Sequence, residues 1–137
     1  MRDILPLLPG PSRFLGNEIN AVHKDPDLVR VRIALAFPDL YEVGMSYLGQ
    51  KILYEQVNAR KDFWAERVFA PPIEAAQIFR DRGLPLSTLE SHTPLKSLDA
   101  VAFSLTHELC YTNVLYMLDL AGIPIRSEDR GEGDPLV

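Results

Sequence analysis

A single cysteine, Cys110, stands among the 137 residues. It excludes an internal disulfide and any thiolate cluster or four-cysteine zinc site built from this chain alone, and a reducing compartment suits it best. Basic residues are outnumbered, with 14 Lys and Arg against 19 Asp and Glu and a net charge of −5. No run of Lys and Arg lacks interleaved acids, which argues against nucleic acid as a direct partner. Long apolar runs are missing too. The opening MRDILPLLPGPSR is interrupted by Pro6, Pro9 and Pro11, so it is neither a signal core nor a membrane span, and a cytoplasmic location is expected. There is no G-x-G-x-x-G, no Walker A loop and no G-x-S-x-G, which sets aside the common nucleotide and hydrolase loops.

What is present is an ordinary globular composition, 47% apolar and 24% charged, long enough for one domain with its own core. Residues 1–28 are rich in proline and glycine and lack a period. As a terminus they are expected to form a surface arm, although the polar patch of Arg13, Asn17, Glu18 and Asn20 could lie against the domain or against another one. The domain proper is expected to span residues 29–137.

The organising stretch is VRVRIALAFPDLYEVGMSYLG, residues 29–49. An apolar run to Phe37 predicts a strand buried at its end, and Pro38 stops it. A helix is predicted over 44–60, with an apolar stripe of Met45, Leu48, Ile52, Leu53 and Val57 facing the core. RVFA at 67–70 predicts a short second strand, and residues 73–82 a second helix ended by Gly83. LPLSTL at 84–89 is a weaker strand, placed at an edge by Pro85. Phe63 and Trp64 beside the first helix end are either a contact for another domain or partly buried. AVAFSL at 100–105 predicts a strand that passes through Thr106, His107 and Glu108 into a helix over 109–120, ended by Gly122 and Pro124. The last three residues, Pro135, Leu136 and Val137, look like the start of a further strand, and the chain reads as a fragment with a truncated sheet. Strands alternating with helices point to a mostly parallel sheet with helices on both faces, a three-layer α/β fold.

In such a sheet the turns at 38–44, 70–73 and 106–112 gather at the carboxyl edge, where open α/β folds bind ligands. They bring together Asp39, Tyr41, Glu42 and Ser46 from the first turn and His107, Glu108, Cys110, Tyr111, Thr112 and Asn113 from the last. Asp39-x-Tyr41-x-x-Gly44 has the spacing of the D-x-H-x-x-G loop by which flavodoxin-like domains hold cobalamin, with tyrosine where the axial histidine belongs. The same residues also serve a strand-to-helix turn, Asp39 as a cap and Gly44 by relieving the backbone. His107, Glu108 and Cys110 invite a metal or a Cys–His nucleophile, but two strong donors do not close a zinc site and no third group orients the pair. Cys110 is expected to pack as a small apolar residue, and His23 and His92 to lie at the surface.

Four phrases carry a family resemblance: R-x-x-G-N-E-I-N at 13–20, LAFPDLYEVGMSYLGQKILY at 35–54, ERVFAPP at 66–72 and SLTHELCYTNVLYMLDLAGIPIRSEDRG at 104–131. Together they resemble the amino-terminal region of large bacterial radical SAM proteins, in which a cobalamin-binding-like, flavodoxin-like (Rossmann-type) domain precedes the catalytic barrel. The resemblance implies a downstream radical SAM barrel as partner, with its [4Fe–4S] cluster and S-adenosylmethionine. It also implies an accessory role for this segment, shaping the substrate or corrinoid side of that barrel. The cluster asks for C-x-x-x-C-x-x-C, absent here, so no catalytic residue is carried over. A ligand-edge role passes to Asp39, Tyr41, Glu42, Gly44, Ser46, His107 and Glu108. The alternatives are a ligand-free interaction domain, including a homodimer formed through an exposed sheet edge, and a small free-standing enzyme using His107, Glu108 and Cys110.

Overall fold

A computed structural model describes residues 3–137. Three strands, β1 (Val31–Phe37), β2 (Phe63–Phe69) and β3 (Ala100–Phe103), form a sheet in the order β2-β1-β3 with both pairings parallel. The expected α/β architecture is present. In this order the chain reverses direction of travel across the sheet between β1 and β3, the switch point at which ligands of open α/β sheets bind.

The two faces are filled differently. Ala34 and Ala36 of β1, Val68 of β2 and Val101 of β3 point to one side. There they meet α3 (Ile73–Asp81) and α4 (Tyr111–Ala121) through Ala75, Ala76, Phe79, Met117, Leu118 and Ala121, all buried. The small strand residues let both helices approach closely. Leu35, Phe37, Ala65 and Phe69 point to the other side, covered by α1 (Tyr41–Ser46) and α2 (Leu48–Asn58) through Tyr41, Met45, Tyr54 and Val57.

Four elements differ from the sequence expectation. The helix predicted over 44–60 is two helices, because Tyr47 is extended and its ring packs on Phe37 with centroids 5.2 Å apart. The apolar stripe of α2 is not core: Leu48, Ile52 and Leu53 are 66%, 51% and 50% exposed, while Gln50 and Tyr54 turn inward. Both inward residues have polar atoms with partners behind the helix, Gln50 Nε2 donating to the Leu35 carbonyl oxygen (2.8 Å) and Tyr54 Oη accepting from the Val22 amide (2.7 Å). The second strand begins at Phe63, so Trp64 is buried in it, its indole N–H donating to the Val22 carbonyl (3.0 Å). Residues 84–89 add no strand to the sheet and make one antiparallel bridge, Ser87 with Pro94.

The segment before β1 lies against the domain. Ile4 and Leu8 are in the main core, Phe14 meets Phe79 edge-on at 5.9 Å, and Arg13 pairs with Glu42 (2.6 Å). Gly16 has φ +61°, and a Cβ there would sit 2.1 Å from the Leu89 carbonyl oxygen, so glycine is required for the backbones to pass. Lys24 Nζ donates to the carbonyl oxygens of Asn58, Arg60 and Phe63 (2.9, 2.7 and 2.5 Å), closing the end of α2. Leu136 pairs in parallel with the outer edge of β3, its N–H to the Asp99 carbonyl (3.0 Å) and its C=O to the Val101 amide (2.8 Å). No helix among the described residues is long and apolar enough to cross a membrane.

Candidate functional site

All three strands end at one edge, so the turns that follow them share it. The Ala70 amide donates to the Asp39 carbonyl (2.9 Å), Asn113 Nδ2 to the Pro38 carbonyl (2.9 Å) and the Tyr116 hydroxyl to the Pro71 carbonyl (3.0 Å). The Asn113 bond spans the switch point between β1 and β3.

Most residues proposed from the first turn are engaged in holding it. Asp39 Oδ1 accepts from the Leu40 amide (2.7 Å), and the Ser46 hydroxyl donates to the Val43 carbonyl (2.7 Å). Gly44 is buried, and a Cβ on it would lie 2.2 Å from the Phe69 ring, so its role is close packing of α1 on the sheet. Glu42 is held by Arg13. The Tyr41 hydroxyl donates to Glu18 Oε1 (2.6 Å), and its ring meets Phe69 edge-on at 5.5 Å. Burial, with the Glu18 carboxylate second, pushes the Tyr41 pKa up to about 12.

His107 and Glu108 lie on the third turn and are exposed. Cys110 is buried, with Sγ 3.5 and 3.6 Å from the two ring nitrogens of His107 and 3.8 Å from Thr106 Oγ1. No group of three or more His, Cys, Asp or Glu among the described residues could hold a metal.

The densest polar cluster was not singled out from sequence. Arg67, in β2, donates from Nε to Glu90 Oε1 (2.6 Å), from Nη2 to Glu18 Oε2 (2.7 Å) and from Nη1 to the thioether of Met45 (3.2 Å). Its guanidinium lies 4.9 Å over the Tyr54 ring. The Arg67 amide also donates to Glu90 Oε2 (2.7 Å), so that carboxylate holds both the side chain and the backbone of one residue. Burial pushes the Glu90 carboxyl up, against the pull of Arg67. Glu18 is also raised by burial, yet bonds from Tyr41, its own backbone and Arg67 leave it below its ordinary value. On the opposite face Glu66, fully buried, accepts from Arg32 (2.6 Å) and Thr88 (3.0 Å). The available signal was a Glu-Arg pair inside an otherwise apolar strand, which demands buried counter-charges.

Beside Arg67 lies a cavity of about 280 Å³, walled by Glu18, Val22, Met45, Gln50, Tyr54 and Arg67. It lies just under the usual range for small-molecule pockets, about 300–1,000 Å³. Gln50 Oε1, in its wall, is buried without a hydrogen-bond partner.

Part of the exposed apolar surface lies at the carboxyl edge. Leu40, Val43 and Tyr47 on the first turn and α1, Ile73 on the second turn, and Leu105, Leu109 and Tyr111 on the third are all exposed, Ile73 and Leu109 to nearly 80%.

No curated protein and no solved structure matches the chain. A family model described as "Radical SAM proteins, N-terminal" matches residues 49–137, which covers α2, β2, α3, β3 and α4 and leaves out β1 and the first turn. The radical SAM cluster asks for three cysteines and this chain has one, so its residues do not fit that cluster. On a match across well over half its length, the chain belongs to the family of radical SAM protein N-terminal domains.

Proposed function

We propose that this domain serves as an accessory module that seats its carboxyl edge on the radical SAM domain joined to it, covering one side of that domain's substrate entrance. The observation that carries this reading is the row of exposed apolar side chains on all three turns: Leu40, Val43, Ile73, Leu105, Leu109 and Tyr111. Isolated exposed leucines are normal, but six large apolar residues on one rim are the mark of a contact surface. The turn residues support this by being rigidly held, Asp39, Tyr41, Glu42 and Ser46 each through a hydrogen bond or ion pair within the domain. A preformed rim loses little conformational entropy when it docks.

Hydrogen–deuterium exchange tests it. Amides of the turns at 40–47, 70–73 and 105–111 are expected to exchange more slowly in the protein carrying the radical SAM domain than in this chain alone. Equal exchange in the two would overturn the proposal. The alternative, a homodimer formed through the same rim, predicts instead a dimer mass for this chain by light scattering, abolished by Leu109→Asp. A corrinoid at the rim would show as a shifted hydroxocobalamin spectrum that survives desalting.

A further inference from the structure

Beyond docking, we propose that the cavity beside Arg67 is a binding site for a small neutral molecule bearing a carboxamide or lactam. Two groups in its wall have complementary shortfalls. Gln50 must direct Nε2 toward the Leu35 carbonyl, an obligate acceptor, which fixes the orientation of its amide and leaves Oε1 as a buried acceptor without a donor. Arg67 directs Nη1 at the sulfur of Met45, a weak acceptor for a guanidinium. One wall residue therefore lacks a donor and the other a good acceptor. An amide edge, N–H beside C=O, supplies both.

The charges select against an ion. Arg67 is already flanked by two carboxylates, Glu18 and Glu90, at 2.7 and 2.6 Å, so a further anion meets an excess of negative charge. A cation meets the guanidinium itself at van der Waals range. The exposed Lys51 and Glu55 add one charge of each sign to the lining, and Val22, Met45 and the Tyr54 ring suit an apolar body behind the amide. The size excludes a corrinoid or a dinucleotide and admits a single ring.

Three probes with one ring and different head groups test this on the chain as it stands: benzamide, benzoate and benzylamine, titrated while the Gln50 side-chain NH₂ and Arg67 Nε–H signals are followed by NMR. Benzamide is expected to saturate and to move both signals, and to bind at least about tenfold more tightly than either ion. No saturable shift, saturation that leaves both signals in place, or benzoate binding as tightly as benzamide would each overturn the proposal. Gln50→Leu, with its fold confirmed by circular dichroism, is expected to lose about tenfold in benzamide affinity. An unchanged affinity would count against the site. If that variant does not fold, the wild-type shifts decide alone. None of these readouts involves the carboxyl edge, so the outcome is independent of the docking proposal.

Discussion

The two faces of the sheet are built on opposite principles. Beneath α3 and α4 the packing is mainly apolar, small strand residues facing Phe79, Met117 and Leu118, while Glu66 on the same face is buried with Arg32 and Thr88. Beneath α1 and α2 a charged strand residue, Arg67, occupies the middle, held by carboxylates from residues 18 and 90 and stacked on the Tyr54 ring. The first face gains stability from burial, which is non-directional and tolerant of sequence change. The second gains specificity of position, since a buried guanidinium is tolerable only where each partner sits correctly. The cavity and the exposed stripe of α2 both belong to the polar side.

Phe79→Ala empties the centre of the apolar face and is expected to cost about 3–5 kcal/mol in chemical denaturation while leaving the cavity's probe binding intact. Glu90→Gln keeps the shape of the polar face but removes the charge that Arg67 answers, an expected loss of about 1.5–3 kcal/mol. A loss as large as that of Phe79→Ala would show that the polar face carries the fold after all.

Alkaline titration separates the faces more gently. Tyr41 has a folded pKa raised from 10 to about 12, so the folded state resists its ionisation. That contribution is complete below pH 10 and lost as pH rises to about 12, and Tyr54, raised by burial, adds to the loss in the same direction. Unfolding midpoints followed against pH should fall across that window, and Tyr41→Phe should flatten the fall. The smallest effect is expected at α2: Ile52→Ser should change stability by less than about 0.5 kcal/mol, because the side chain already faces water. A larger loss would mean that something covers the stripe in solution.

Much of the framework was readable from local pattern. β1, β3 and α4 follow from apolar runs closed by Pro38 and Gly122, the latter in the left-handed conformation that ends a helix. The local pattern starts β2 at Arg67, not Phe63, because Glu66 breaks its apolar run, and the partners of Glu66 and Arg67 lie 22 to 49 residues away, out of reach of any local window. The stripe on α2 was found, but its direction was not. Periodicity locates an apolar face without saying what lies over it, and here Gln50 and Tyr54 reach partners behind the helix that Leu48 and Ile52 cannot use. For the rim, sequence placed the right turns together through strand direction, while most of the side chains chosen there turn out to hold the turns in shape.

Lys24 offers a chemical handle on this arrangement. With its ammonium committed to three carbonyl oxygens, and burial lowering its pKa against the opposing pull of Asp62, it should acylate only when the leading segment lifts off the sheet. Amine-directed footprinting followed by peptide mass mapping would therefore time the undocking of residues 3–24, with the exposed Lys51 and Lys61 as internal clocks.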